Sequence, residues 1–469
     1  MNPLNYIQSV ESNARTYGAI FRRMFVAGNG ICIRDAEGRE YIDCLTNAGA
    51  LPLGHNHPEI KDVVLAHLLS DQLQQALDIT TPAKLGFVQE MFETLPAALR
   101  ERAKIQFCGP SGSDAVEAAI KLTKYFTRRD VILAFHGGYH GMTAGAQGAM
   151  GNLYSKMGLG GLSHGVHFAP YPYLFRCPFG TDGDRTEELS LNYIRTLLSD
   201  PESGVPKPAA VLVEPVQGEG GSIPAPAAWL KALRQLTIEH DVLLIMDEVQ
   251  TGLGRTGSMF AFEQADIVPD VLVLSKAIGG GYPLAVVVYD KRLDVWPPGK
   301  HAGTFRGNQI AMVAGQATMR IIRRDRLDRR ARAKGKIFKD GLQKIAGHFP
   351  FIGDVRGRGL MIGVEVVNPS EDHALAPPDG VLAKAIKLNC LDSGLIIETG
   401  GRNGAVLRFL PPLITSEADI GEILNRFEQA CRKACGEAVP WEVSGVAAVK
   451  SMEILKVDGT GGALNADRL

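Results

Sequence analysis

Between residues 104 and 289 short apolar runs alternate with amphipathic stretches, the pattern of a mostly parallel sheet crossed by helices. Strands are expected at 104–108, 131–135, 209–214, 242–247, 271–275 and 284–289. Several of these runs are apolar at every position, so they need cover on both faces. A helix is expected from Ala115 to Tyr125, directly after Ser111-Gly-Ser113. Upstream, Asp35-Ala-Glu-Gly38 separates two alternating stretches within 31–44 and predicts a hairpin. Beyond Asn308 a single long basic helix is expected through Arg320–Arg329, leading to strands near 360–367 and 405–409. At 469 residues the chain exceeds one compact core. The expected division is an N-terminal segment (1–60) contributing to a small domain, a large domain (61–310), a C-terminal small domain (311–440) and a peripheral tail (441–469).

Charge narrows the partners. Fifty Lys and Arg side chains face 51 Asp and Glu, so nothing points to nucleic acid or an anionic membrane surface. No window is long and apolar enough to span a bilayer. The seven cysteines are odd in number and lack a CxxC pair, which predicts free thiols in a reducing compartment. Cys431 and Cys435 have no second pair or nearby histidines, so no metal site is expected. With no signal-peptide pattern at Met1–Val10, the cytoplasm is the expected location.

Three expected strands end in reactive side chains: Glu214, Asp247 and Lys276. Open parallel sheets bind ligands outside the carboxyl ends of their strands, so the three can share one crevice. Burial disfavours an ammonium and leaves a nucleophilic amine at Lys276. Such an amine forms a Schiff base with an aldehyde cofactor, and a buried acid such as Asp247 keeps a pyridine nitrogen protonated. The pairing is the signature of a pyridoxal 5′-phosphate enzyme. Phosphate requires backbone N–H groups at a helix start, which Gly109-Pro-Ser-Gly-Ser113 offers through Ser111, Gly112 and Ser113. Tyr139 or His140, in Phe135-His-Gly-Gly-Tyr-His-Gly141, can stack on the ring. Gly252-Leu-Gly-Arg-Thr-Gly257 matches the dinucleotide pattern GxGxxG, but Val249-Gln-Thr intervenes after the strand and no helix opens from it. It reads as a covered loop.

Taken together, these segments resemble the class III (omega) aminotransferases of the fold-type I pyridoxal-phosphate superfamily over residues 30–415. Asp35-Ala-Glu-Gly-Arg-Glu-Tyr-Ile-Asp43 and Gly54-His-Asn-His-Pro58 are similar to the family's N-terminal segment. Gly112-Ser113 resemble its phosphate cup, and Tyr139-His140-Gly141 its aromatic-His-Gly triplet. Glu214-Pro-Val-Gln-Gly-Glu-Gly-Gly221, Asp247-Glu-Val-Gln250 and Gly254-Arg-Thr-Gly257 carry the most specific likeness. The resemblance implies an α/β large domain with a mostly parallel sheet and a smaller α/β domain. It puts Tyr139 and Val249 on the two faces of the cofactor ring, Asp247 at its nitrogen, Gln250 at its hydroxyl and Lys276 at the Schiff base. Gly303-Thr-Phe-Arg-Gly-Asn308 resembles the family's GSTFGGN segment, which implies that Thr304 reaches the phosphate of a neighbouring subunit in an obligate homodimer.

Substrate expectations follow from the same likeness. Arg408 resembles the arginine that holds the α-carboxylate of glutamate or 2-oxoglutarate, and Glu219 the glutamate that masks it for an ω-amine. Met142 stands where ornithine and 4-aminobutyrate aminotransferases carry an arginine for the distal carboxylate, and Arg306 replaces a usual glycine. Gly109-Pro-Ser-Gly, Gly303-Thr-Phe-Arg-Gly-Asn-Gln and Leu407-Arg-Phe-Leu-Pro-Pro are most similar to the diaminobutyrate–2-oxoglutarate group. Glu11-Ser-Asn-Ala-Arg-Thr-Tyr17 adds to it, with Tyr17 at the polar end of the substrate. The implied reaction moves the terminal amine of L-2,4-diaminobutyrate to 2-oxoglutarate by a ping-pong route, with aspartate 4-semialdehyde as the keto partner. Another diamine or ω-amino acid donor is the first alternative. An aminomutase of the glutamate-1-semialdehyde type is the second, and a relative that binds the cofactor without catalysis is the third.

Overall fold

The computed structural model of the chain describes residues 3–162, 164–181, 183–369 and 376–436. The tail expected from 441 onward lies outside the described residues. Three strands open the chain: β1 (Phe25–Asn29), β2 (Cys32–Asp35) and β3 (Glu40–Asp43). β2 and β3 form the expected hairpin, its turn tied by Asp35 Oδ1, which accepts from Glu37 N (3.1 Å) and Arg39 N (2.9 Å).

The central sheet comprises β4 (Ala103–Phe107), β5 (Ile132–Phe135), β6 (Val166–Ala169), β7 (Ala210–Val213), β10 (Leu243–Asp247), β11 (Val271–Leu274) and β12 (Val286–Asp290). Between β7 and β10 lies a small hairpin, β8 (Val216–Gln217) and β9 (Ile223–Pro224). The spatial order is β4-β12-β11-β10-β7-β5-β6. Only β12 runs antiparallel to its neighbours β11 and β4. Six strands therefore end on the same side, five of them predicted from the sequence and β6 not, while the predicted run at 284–289 points the other way.

Alternation divides the strand residues between two cores. On β10, Leu243 and Ile245 pack toward Ala115, Val116, Ala119 and Leu122 of the helix Gly112–Thr127. Leu244 and Met246 pack with Trp229 and Leu233 of the helix Ala227–Glu239. Asp247 continues the face of Leu243 and Ile245, toward the helix that begins at Gly112. Behind the strand ends, Trp229 is wholly buried and meets Phe135 edge-on, with ring centroids 5.5 Å apart, and Tyr171 at 5.8 Å.

The basic stretch departs from expectation: it forms two helices, Gln309–Arg324 and Leu327–Ala346. Arg326 between them adopts a left-handed φ of 49°, and Arg324 turns its guanidinium onto Asp325 (2.8 Å) and Glu59 (2.8 Å). The C-terminal strands β13 (Ile352–Arg358), β14 (Met361–Val366), β16 (Glu398–Gly400) and β17 (Val406–Phe409) form an antiparallel sheet in the order β13-β14-β17-β16. β15 (Leu395–Ile396) leaves this sheet and pairs parallel with β3, so the two ends of the chain share a sheet. Among the described residues, no helix is long and apolar enough to cross a membrane.

Trp229→Ala should lower the free energy of unfolding by about 3–5 kcal/mol, since the aromatic cluster cannot collapse into so large a hole. A denaturant titration in which the midpoint moves by less than a 1 kcal/mol loss requires would contradict that packing role.

Candidate active site

A cleft of about 580 Å³ opens at the carboxyl ends of β4, β5, β7, β10 and β11. Gly112, Ser113, Tyr139, His140, Glu214, Glu219, Asp247, Val249, Gln250 and Lys276 all line it. Sequence positions spread over more than 160 residues meet here because parallel strands end on one side.

Lys276 is the second residue after β11. It adopts a left-handed φ of 49°, a conformation that costs a side chain-bearing residue roughly 1–2 kcal/mol. Such outliers persist where surrounding packing imposes them. Here Ser275 Oγ donates to Leu284 O (2.9 Å), and Gly280, also left-handed, leaves no room for a Cβ against Ala314 and Thr318. Burial lowers the Lys276 amine below the ordinary lysine value; Glu219 opposes this, Arg408 adds to it, and Asp247 and Glu214 oppose it more weakly.

Asp247 closes the far wall. Its Oδ2 lies 2.7 Å from His140 Nδ1, and its Oδ1 accepts from Val249 N (3.1 Å). Burial pushes His140 down, but the hydrogen bond and charge of Asp247, with Glu214, more than offset it and raise the imidazole. Glu214 accepts from Tyr139 N (2.8 Å) and Gly218 N (2.9 Å), and burial raises its carboxyl despite these donors and His140. Through those two bonds Glu214 sets the height of Tyr139 and the start of the hairpin loop that carries Glu219.

Opposite this wall, Glu219 Oε2 meets Arg408 Nη1 at 2.7 Å. Burial alone would raise Glu219, but Arg408 and then Lys276 bring it below the usual carboxylate range. Gln250 completes the group: its Oε1 accepts from Arg408 Nη2 (3.0 Å) and its Nε2 donates to Ala48 O (3.1 Å). Arg408 is 1 % exposed, and its Nε has no hydrogen-bond partner among the described residues.

Other expected residues stand differently. Ser111 is the cap of the helix Gly112–Thr127, accepting from Asp114 N at 3.2 Å, and does not line the cleft. Ser113 does, with its Oγ accepting from Met142 N (3.0 Å). Thr304 is exposed and outside the cleft of its own chain, on a loop that Arg306 ties to His301 O (3.1 Å) and Asp78 (2.5 Å). Tyr17 is 41 % exposed, outside the cleft lining but within electrostatic reach of Glu219, Arg408 and Tyr139. The GxGxxG loop contains buried Arg255, which donates to Leu360 O (3.0 Å) and Pro411 O, and its Gly254 and Gly257 pack against Asp328 and Arg332 of the helix Leu327–Ala346. Sequence reasoning missed Thr46–Ala48, three consecutive left-handed residues behind Gln250, for which only the short Asn-Ala-Gly run gave a signal.

With this geometry in view, comparison with known proteins is decisive. The model of the family Aminotransferase class-III matches residues 13–431. The chain belongs to the class-III aminotransferase family. A protein of Rhizobium meliloti (strain 1021) named diaminobutyrate–2-oxoglutarate aminotransferase is 52 % identical, with 90 % of this chain and 92 % of the relative covered. A Haemophilus influenzae protein of the same name is 44 % identical over 90 % of this chain and 93 % of its own length. Among solved structures, a PLP-bound amine transaminase from an uncultivated Pseudomonas species superposes with a TM-score of 0.81 at 26 % identity, covering 91 % of this chain and 98 % of that one.

The cofactor of this family is pyridoxal 5′-phosphate, and the residues present fit it. The cleft is lined by the Lys276 amine, the Asp247 carboxylate, the Tyr139 ring and the helix start at Gly112 and Ser113. Gly112 keeps space beside Val249, because a Cβ there would press on Val249 Cγ1 at 2.9 Å. When bound, pyridoxal phosphate supplies an aldehyde that condenses with amines and a ring that accepts the electron pair left at the substrate carbon.

Borohydride reduction followed by peptide mapping should fix the cofactor on Lys276; recovery on another lysine would overturn its assignment. Because burial favours the neutral amine, the loading rate should rise with pH through a midpoint below the ordinary lysine value near 10.4. A midpoint at or above that value would contradict the environment described here. Asp247→Asn should retain cofactor yet slow turnover by about 10–100-fold, the equivalent of one lost charge-assisted contact.

Proposed function

We propose that this aminotransferase moves the terminal amine of L-2,4-diaminobutyrate to 2-oxoglutarate, giving aspartate 4-semialdehyde and glutamate, in two half-reactions. The observation that carries the reading is the Glu219–Arg408 pair at 2.7 Å, across the cleft from Asp247. One pocket must take a glutamate whose α-carboxylate lies beside the reacting amine, and a diamine whose reacting end has none. Arg408, released from Glu219, binds the carboxylate with its guanidinium fork. Paired with Glu219, it presents a neutral wall to the terminal methylene of the diamine. The names carried by relatives at 52 % and 44 % identity support this donor and acceptor.

In this reading Lys276 is the catalytic residue. Its amine would hold the cofactor and, when free, would take up and return the proton at the substrate carbon. Asp247, steadied by His140, keeps the ring nitrogen protonated. Tyr139 and Val249 would enclose the ring, while Gly112 and Ser113 would take the phosphate with the cap Ser111 shaping the helix start. Gln250, which accepts from Arg408, would face the cofactor hydroxyl. Met142 is 56 % exposed and offers no charge to a distal carboxylate.

A homodimer with shared sites is part of the same proposal. Leu77, Ile79, Met142 and Phe305 are each at least half exposed and would supply apolar surface to such an interface. Thr304 stands on that surface beside Phe305, where a partner's phosphate would meet it. We also assign the protein to the cytoplasm, since all seven of its cysteines are free.

Arg408→Ala should impair the glutamate half-reaction by about 10–100-fold and the diamine half-reaction far less. Glu219→Gln should reverse that preference, because an unmasked arginine draws the α-carboxylate of the diamine inward. 4-Aminobutyrate should be a poor donor. Single-turnover spectra of each half-reaction test this: equal losses in both halves for Arg408→Ala would remove the proposed switch. Dilution to monomer, followed by sedimentation, should release cofactor and activity together; an active monomer would refute the shared site.

A further inference from the structure

β16 lies directly beside β17 in antiparallel register, and Glu398 is the residue opposite Arg408. Residues so paired project from the same face with Cβ atoms roughly 5 Å apart. The strand also touches the switch itself: Gly400 leaves no room for a Cβ beside Arg408 Cδ (2.8 Å) and Glu219 O (2.9 Å), and Gly401 N donates to Glu219 O (2.8 Å). Glu398 is therefore a neighbour of the Glu219–Arg408 pair, although it does not line the cofactor cleft.

The two oxygens of this carboxylate are used unequally. Oε1 receives Lys387 Nζ at 2.7 Å and Thr399 N at 2.7 Å. Oε2 is buried and has no hydrogen-bond partner among the described residues. Buried carboxylate oxygens without a donor are costly and uncommon, and an unmet one beside a binding site asks for a ligand. Tyr17 stands nearby. Its phenol is pushed up to about 12 by burial, then by Glu398 and Glu219, with Arg408 opposing, so it remains a donor at neutral pH. Phe21, one turn on, stacks on Tyr17 and lies 5.7 Å from Lys387 Nζ, which seats this N-terminal segment over the Lys387–Glu398 pair.

Resting on the donor reading above, we propose that Glu398, through Oε2, holds the α-ammonium of the diamino acid and so decides which of its two amines reacts. The argument is one of charge. 2,4-Diaminobutyrate carries two primary amines, and only the one delivered to Lys276 is transferred. A carboxylate is needed to keep the other at a distance. Glu219 is occupied by Arg408 during this half-reaction, Glu214 and Asp247 lie at the cofactor end, and Glu398, paired with Lys387 through Oε1, keeps an Oε2 without a hydrogen-bond partner among the described residues. Tyr17, donating its hydroxyl toward the same end, orients the carboxylate of the substrate rather than its ammonium. Glutamate has no second ammonium, so its half-reaction makes no use of Glu398.

Two analogues separate the groups. 4-Aminobutyrate is diaminobutyrate without the α-amine, and 1,3-diaminopropane is diaminobutyrate without the carboxylate. Single-turnover rates of the cofactor-loaded enzyme should be measured with both, with diaminobutyrate and with glutamate, in the wild type, Glu398→Gln and Lys387→Met/Glu398→Gln. The double variant is included because Glu398→Gln alone leaves Lys387 buried and unpaired, which can unfold the chain. In both variants diaminobutyrate and 1,3-diaminopropane should lose about 10–100-fold in kcat/KM, as expected for one charge-assisted contact. 4-Aminobutyrate and glutamate should lose far less, so the wild-type preference for diaminobutyrate over 4-aminobutyrate collapses. Equal losses across all four amines, or full diaminobutyrate activity in the double variant, would overturn the role of Glu398. A wild type that reacts with glutamate but not with diaminobutyrate would instead refute the donor reading, and this inference with it, before any variant is compared.

Discussion

Buried charge in this cleft survives only by pairing. Glu214, Glu219 and Asp247 line one cavity with Lys276 and His140, and Arg408 meets Glu219 behind its wall. Removing even one ion from water costs several kcal/mol unless a partner and further hydrogen bonds replace the solvent. Each group has such a replacement. Asp247 has His140 and the Val249 amide, Glu214 has two backbone amides, and Glu219 has Arg408. Lys276 is the exception: burial pushes it toward the neutral form, against Glu219, Asp247 and Glu214. That difference separates the nucleophile from the groups that surround it.

The sheet makes this arrangement affordable. Asp247 is opposite Val273 on the neighbouring strand, so Lys276 follows only three residues later on the same side. Strands covered on both faces cannot shift register without moving every side chain between two filled cores. The acid and the amine are therefore fixed by apolar packing far from either. The left-handed turn at Lys276 draws on the same rigidity.

Much of this was legible in the sequence, because apolar runs of β-branched residues ending in a charge need no partner to be recognised. The strand ends at Glu214, Asp247 and Lys276 fall where the runs predict, as does the hairpin at Asp35–Gly38. β6 was not foreseen: Val166-His-Phe-Ala169 is four residues long and lies among glycines, prolines and tyrosines that mask it. The break at Arg326 was equally hidden. Arg320–Arg329 has continuous helical composition, and the stop comes from a left-handed arginine and a local Arg324–Asp325 pair, not from Gly or Pro. Glu398 could not be found at all, since its meaning depends on β16 lying opposite β17, a pairing no local pattern encodes. Gln250 is legible through the Asp247-Glu-Val-Gln250 motif, but its bond from Arg408 across 158 residues of chain is not.

The switch has one fixed and one movable half. Arg408 sits on an inner strand, opposite Gly363 of β14 on one side and Glu398 of β16 on the other, so its backbone is held by two ladders. Arg255 adds a further tie by donating to Pro411, three residues beyond. Glu219 belongs to the five-residue loop between the two-residue strands β8 and β9, with glycine at 218, 220 and 221. Gly221 has a φ of 118°, which a residue with a side chain rarely adopts. The arginine therefore supplies position and the glutamate supplies change. Exchanging one carboxylate for another at Arg408 needs only the Glu219 side chain and its short loop to move. Because Gly401 N donates to Glu219 O, that loop stays registered to β16, the strand that carries Glu398.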